Sequence, residues 1–261
     1  MWILEKCRDI ELKIIEHFDI RVDKASSLWK SSLPRQINLT EEVNVNSNCR
    51  SICSYKGVTY VGLENGVAKI IESDYSLQPF ISNTGVVTSV SLHRDMLYLL
   101  CNDWNNSPKI GLYDLNGQLI SSCSLYLSCQ ESAGSFVIVG GRVVVPIKRN
   151  EVGSAKRDQQ LRVYSLEGKL IKRINCPQMN EYSTHTICAV DSHSVVVSSN
   201  VSRLLEPSKI FRINIDTEEV NWTSRNVDHP DGLTCYGEDF VLVADYNSKP
   251  HTISVLDVKT G

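Results

Sequence analysis

The chain has 261 residues, 42% of them hydrophobic and 22% charged, with a formal net charge of −3. That length can bury a substantial core in one large all-β domain, and a charge so close to neutral gives no global attraction to nucleic acid or an anionic membrane. No apolar run approaches the roughly 18–20 residues of a spanning helix, and Glu5, Lys6 and Arg8 interrupt the stretch where a signal peptide would be apolar. A soluble, cytoplasmic protein without a membrane partner is the expectation.

Residues 1–33 differ from all that follows. Trp2, Ile3, Cys7, Ile10, Ile14, Phe18, Val22, Ala25 and Trp29 recur at three- and four-residue steps with charges between them, and Pro34 closes the segment. This spacing predicts one amphipathic helix. Its apolar stripe has two readings: it packs on the side of the following domain, or it is the end of a coiled coil. In the second case Ile3, Ile10, Ile14 and Phe18 would make a homo-oligomer. Residues 34–48 read as a polar linker with one candidate strand at 36–43.

From residue 49 onward the pattern is strands and turns. The first unit (49–82) is expected to use 52–54, 58–61, 67–71 and 78–81, with Asn65-Gly66 as a strong hairpin signal because both residues tolerate positive φ. The second (85–125) uses 86–92, 96–101, 109–114 and 118–124. The third (134–176) uses 135–139, 142–147, 160–165 and 169–175, with Gly140-Gly141 turning its first hairpin. The fourth (185–225) uses 186–190, 194–199, 209–214 and 219–224. The fifth (230–261) has strands at 230–233, 240–245 and 253–257 but no fourth strand.

The third strands of these units are copies of one another. They start at 68, 110, 161, 210 and 253, spacings of 42, 51, 49 and 43 residues. Ile110-Gly111-Leu112-Tyr113-Asp114, Leu161-Arg162-Val163-Tyr164-Ser165 and Ile210-Phe211-Arg212-Ile213-Asn214 share one alternation. Four-strand units repeating every 40–50 residues are the signature of a β-propeller. The chain is therefore read as an all-β propeller of five recognisable blades. Either residues 36–43 complete the fifth blade of a five-bladed ring, or the ring has six. Leu99, Val145, Val197 and Val243, central in the second strands, are expected between blades, with their sequence neighbours facing outward.

Nine cysteines without a Cys-x-x-Cys pair, several of them in strand runs (Cys53, Cys101, Cys188, Cys235), read as reduced core residues. Cys49 and Cys53 have no second pair to make a zinc site. No cofactor is implied.

The fifth unit resembles an NHL repeat, the propeller blade of many tripartite-motif proteins. Pro230, Gly232, Leu233, Val241, Val243, Ala244, Asp245, Asn247, Ile253 and Val255 occupy that pattern over about 28 residues, whereas the other four blades keep only its strand rhythm. The resemblance implies a protein- or peptide-recognition scaffold, the substrate-binding part of a ubiquitin ligase, behind a coiled coil. The chain itself has no RING or B-box cysteine spacing. Some propellers of this kind hold RNA, so RNA is the alternative partner.

The same unit also resembles gluconolactonase-type propellers, which gather oxygen ligands around one divalent ion. The second strands end at Glu64, Asn102, Lys148, Asn200 and Asp245, so Glu64, Asn102, Asn200 and Asp245 are the candidate metal set and Lys148 stands against it. Nucleophilic catalysis has no Gly-x-Ser-x-Gly elbow to support it. His93 and His193 fall in hairpin turns, while His185 and His229 precede first strands. A non-catalytic protein is the main expectation.

The loops joining second to third strands project from one face and carry eight of the 27 Lys and Arg residues. Lys109, Lys148, Arg149, Lys156, Arg157, Lys209, Asp245 and Lys249 form the candidate ligand-binding face, with Trp104, Tyr246 and His251 interleaved. A cationic, aromatic-dotted face suits an acidic peptide or RNA.

Overall fold

The computed structural model describes residues 18–21, 48–71, 73–102, 107–149, 159–175, 182–201, 208–224, 230–236, 239–245 and 251–261. All the regular structure in these residues is strand. A short strand β1 (Phe18–Arg21) comes first. Blade 1 is β2 (Ser51–Tyr55), β3 (Val58–Leu63), β4 (Gly66–Ile71) and β5 (Ser76–Ser82). Blade 2 is β6 (Val86–His93), β7 (Met96–Asn102), β8 (Lys109–Tyr113) and β9 (Leu119–Ser124). In blade 3 the first strand is split into β10 (Glu131–Ala133) and β11 (Val137–Val139), followed by β12 (Arg142–Arg149), β13 (Gln159–Ser165) and β14 (Leu170–Asn175). Blade 4 is β15 (Tyr182–Ala189), β16 (Ser194–Val201), β17 (Lys209–Asn214) and β18 (Val220–Ser224). Blade 5 is β19 (Pro230–Tyr236), β20 (Phe240–Asp245) and β21 (His251–Asp257).

Consecutive strands pair antiparallel, giving five separate sheets and a five-bladed β-propeller fold. Blades 1–3 lie in one compact unit, Val43–Pro177; blades 4 and 5 lie in another, Met1–Glu42 with Gln178–Gly261.

The fourth strand of blade 5 does not come from residues 36–43, as one reading of the sequence had it. It is β1, running parallel to β21 with Ile20 opposite Ile253. Residues 18–21, inside the span expected as helix, pair here because the open edge of β21 offers backbone donors and acceptors that a short extended segment can satisfy. Phe18 and Ile20 alternating with Asp19 and Arg21 suit that role. The rest of the expected helix, 1–17 and 22–33, and the candidate strand at 36–43 lie outside the described residues.

The second strands are buried on both faces, which corrects the expectation of outward neighbours. Leu97, Leu99 and Cys101 join Tyr60, Val67, Ile81, Val87 and Val90 in a core between blades 1 and 2. Tyr98 and Leu100, one residue out of phase, join Ala133, Phe136, Val143, Val145 and Ile147 between blades 2 and 3. Side chains alternate across a strand, so a blade with a blade on either side needs apolar residues at every position. Within blades 4 and 5 the same logic packs Val196, Ile210, Leu233, Val241 and Val243 together. Leu99, Val145, Val197 and Val243 are fully buried, as their places in the repeat require.

Two irregularities recur. The first strands of blades 2, 4 and 5 shift register at Val87/Ser89, Thr184/Ile187 and Pro230/Gly232. In blade 3 the same place is the break at residues 134–136. In blades 2, 3 and 4 the fourth strands shift directly after their turn, so that Ile120, Ile171 and Asn221 each become an extra, bulged residue. A bulge twists an edge strand and blunts its pairing potential. It also accounts for Ile120 and Ile171 being about half exposed, at 54% and 53%.

The turns that follow the third strands fasten one blade to the one before it. Gly117, Gly168 and Gly261 have φ of +85°, +86° and +83° and lie against Phe80, Cys123 and Trp222, on the fourth strand of the preceding blade. At Gly168 a Cβ would fall 2.1 Å from Cys123 Sγ and 2.3 Å from its Cβ, so rotating the thiol away does not make room. Gly168→Ala combines that overlap with a left-handed backbone. It is expected to cost roughly 2–3 kcal/mol in a urea melt, whereas Glu167→Ala beside it should cost under about 0.5 kcal/mol.

Candidate recognition surface

Antiparallel pairing fixes where the loops leave each sheet. The connection from second to third strand emerges where the first strand begins and the fourth ends. In blade 2, Val86 stands opposite Asn102 and Lys109 opposite Ser124. In blade 3, Lys148 stands opposite Ser132 and Gln159, and Arg149 opposite Glu131. In blade 4, Lys209 faces Ser199; in blade 5, Asp245 faces Pro230 and Thr252. Lys109, Lys148, Arg149, Lys209 and Asp245 thus all stand at the expected end of their own sheets. Lys156, Arg157, Lys249, Trp104 and Tyr246 lie outside the described residues. Lys109 is exposed, while Lys148 and Lys209 are half-buried.

At this end a polar contact joins blades 2 and 3, and an ion pair lies within blade 3. Asn102 Nδ2 donates to the Ala133 carbonyl oxygen at 3.2 Å, next to Ser132 and hence to Lys148. Asn102 Oδ1 is buried without a hydrogen-bond partner. One residue further back, Glu131 accepts from Arg162 Nη2 at 2.5 Å and from the Ser128 N–H at 3.0 Å. Arg162 Nε donates to Gln160 Oε1 at 2.9 Å. Burial alone would raise the Glu131 carboxyl, but the Ser128 N–H bonds and the Arg162 charge outweigh it and hold the carboxyl below the usual glutamate range. The Arg162 charge is thereby used inside the protein and is not offered to a ligand.

The sequence alone does not single out Tyr126. It is 85% exposed, with φ of +46°, and follows Leu125, whose N–H donates to the Pro108 carbonyl oxygen at 2.9 Å. Tyr126 therefore stands at the same end of blade 2 as Lys109. The available signal was Leu125-Tyr126-Leu127, an aromatic-centred apolar run lying outside any strand, with Leu125 as the buried anchor.

The candidate metal set does not come together in the described residues. Glu64 Oε1 accepts from Asn48 Nδ2 at 2.7 Å and lies 3.7 Å from Arg50 Nη2, so its charge is already answered by a cation. Asn102 is in the same unit, but nothing described joins it to Glu64. The side chains of Asn200 and Asp245 lie outside the described residues. Among the described residues no group of three or more His, Cys, Asp or Glu is placed to hold a metal ion. His185 falls inside β15, not before it, and His229 is outside the described residues. His193 Nδ1 pairs with Asp216 Oδ2 at 2.5 Å across turns of blade 4. No helix among the described residues is long and apolar enough to cross a membrane.

No protein-family profile matches the chain, and no curated protein sequence does. Solved structures do. The N-terminal domain of Nup159 superposes with a TM-score of 0.51 at 12% identity, over 88% of this chain and 65% of that one. A chain from the S. cerevisiae complex of Dbp5 with Nup159, Gle1, IP6 and ADP gives 0.51 at 14% identity, over 88% and 64%. What these likenesses share is the fold. The quinohemoprotein alcohol dehydrogenase ADHIIG of Pseudomonas putida HK5 gives 0.50 at 13% identity, over 83% and 43%. This chain spans less than two thirds of the length of each of those three chains. Propeller folds in both a partner-bound assembly and an oxidoreductase mean that fold alone does not choose a function.

Proposed function

We propose that the chain is a non-catalytic recognition module holding an acidic protein or peptide segment at the loop end of blades 2 and 3. The observation that carries this reading is the placement of exposed Lys109 and Tyr126 at one end of blade 2, beside the blade 3 strand that ends in Lys148 and Arg149. A cation next to an exposed aromatic suits carboxylate-bearing ligands, and a rigid sheet positions loops that would otherwise be diffuse. Residues 150–158 supply Lys156 and Arg157 in the same connection. The NHL-like pattern of blade 5 supports a finer reading as the substrate-binding part of a tripartite-motif-type assembly, with any ligase chemistry carried by other sequence.

The test is fluorescence anisotropy on the full chain with a glutamate-rich peptide, a neutral peptide of equal length and single-stranded RNA. Replacing Lys148, Arg149, Lys156 and Arg157 together by Ala is expected to weaken the acidic peptide at least about tenfold and leave the neutral one unchanged. Tight RNA binding whose salt slope drops by roughly one for each phosphate that the variant no longer neutralises would make RNA the ligand instead. Unchanged binding of every probe would move the site off this end. Ca²⁺-dependent hydrolysis of an aldonolactone, abolished by Asp245→Ala, would replace recognition with catalysis.

A further inference from the structure

Most of the described cysteines behave as small core residues or sit exposed and apart. Burial pushes the Cys53 thiol up to about 12 and Cys101 up to about 11, which leaves them protonated and inert. Cys188 and Cys235 are different. They belong to the first strands of neighbouring blades, β15 and β19, and their Sγ atoms are 3.6 Å apart. Cys235 Sγ also lies 2.6 Å from the Ala189 carbonyl oxygen, so when its one S–H donates there, the Cys188 thiol donates to the Cys235 sulfur. Cys188 is 8% exposed, whereas Cys235 is half-buried and so the more accessible of the two.

We infer that Cys188 and Cys235 form a reversible disulfide that ties the first strand of blade 4 to the first strand of blade 5. The two sulfurs, 3.6 Å apart on neighbouring first strands, are already in van der Waals contact, the approach from which a bond of about 2.05 Å is made. The exposure gradient assigns the roles. Cys235 is the attacking thiol and Cys188 resolves. The hydrogen bond from Cys188 draws the Cys235 thiol below its ordinary range against the opposing effect of burial, while Cys188 is pushed well up.

With glutathione disulfide as oxidant, the Cys235 thiolate attacks one of its sulfurs. A Cys235–glutathione bond forms and one glutathione thiolate leaves, which takes the proton that Cys235 gave up. Cys188 then loses its proton, attacks Cys235 Sγ and expels the second glutathione, which takes that proton. The protein dithiol loses two electrons and two protons, and glutathione disulfide gains them as two glutathione molecules.

The experiment equilibrates the full chain in glutathione buffers of graded potential, alkylates the free thiols, and maps linkages by peptide mass spectrometry. The expected product is a Cys188–Cys235 peptide pair lighter by two hydrogens than its reduced parts, reversed by dithiothreitol. The oxidised chain should melt higher by roughly 5 °C or more, since the bridge closes a long loop of the unfolded chain. Cys235→Ser should abolish both effects, whereas Cys129→Ser, at an exposed position, should change neither. Alkylation of both cysteines at the most oxidising potential would overturn the inference. So would linkage of either to another cysteine, or an unchanged melting temperature in the linked form.

Discussion

Leu99→Asp and Leu100→Asp are each expected to unfold the chain or destabilise it by more than about 4 kcal/mol, although the two residues face opposite ways. Both are fully buried in β7, Leu99 in the cluster that holds Tyr60 and Val67 of blade 1 and Leu100 in the cluster that holds Phe136 and Val145 of blade 3. An aspartate at either place enters an apolar contact with no cation described beside it. In an ordinary two-layer sandwich one of the two positions would face water and tolerate the change. The comparison variant is Leu119→Asp, at a 56% exposed position on β9, which should change the unfolding free energy from urea melts by less than about 0.5 kcal/mol. Near-wild-type melting of Leu100→Asp would sink the two-faced burial of the second strands.

The repeat was readable because its strongest local signals agree with the fold. Asn65-Gly66, Gly140-Gly141 and Asp114 to Gly117 sit where chain reversals occur, and the runs Leu97 to Cys101, Val143 to Ile147 and Val195 to Val197 are apolar at every step. An apolar residue at every step is the sign of neighbours on both faces, and expecting every second residue to face outward overlooked it. The bulges at Ile120 and Ile171 were hidden, since an extra residue leaves composition and alternation almost unchanged. So was β1, four residues whose extended state depends on a free edge far along the chain. Of the candidate surface, sequence placed Lys109, Lys148 and Lys209 at the right ends of their strands. It missed Tyr126, which is exposed in a segment outside any strand, and the Cys188–Cys235 contact, which depends on the packing of two blades.

Arg162 supports the second large prediction. The pattern Leu161-Arg162-Val163 reads as an outward polar residue between two inward ones, yet Arg162 is 4% exposed. Its guanidinium meets Glu131, carried by the short first piece of the split strand, and the side chains of this pair are only 5% and 10% exposed. Replacing Arg162 with Met keeps most of the volume and strands the Glu131 carboxylate. Such a loss is expected to cost about 3–5 kcal/mol at pH 7. The pH dependence separates an electrostatic cause from a packing one. In the wild type the Glu131 carboxyl is held below its ordinary value of 4.5, so its contribution is present above that pH and is lost as pH falls toward the lower folded value. In Arg162→Met burial is no longer offset by the cation, the carboxyl moves up, and the folded variant takes a proton that the unfolded chain does not yet hold. The gap between the two proteins should therefore narrow steadily as the pH is lowered through 4.5 in urea melts. The double variant Glu131→Gln with Arg162→Met, which leaves no carboxylate behind, should recover part of the loss at pH 7. A gap independent of pH, with no recovery in the double variant, would assign the role of Arg162 to packing alone.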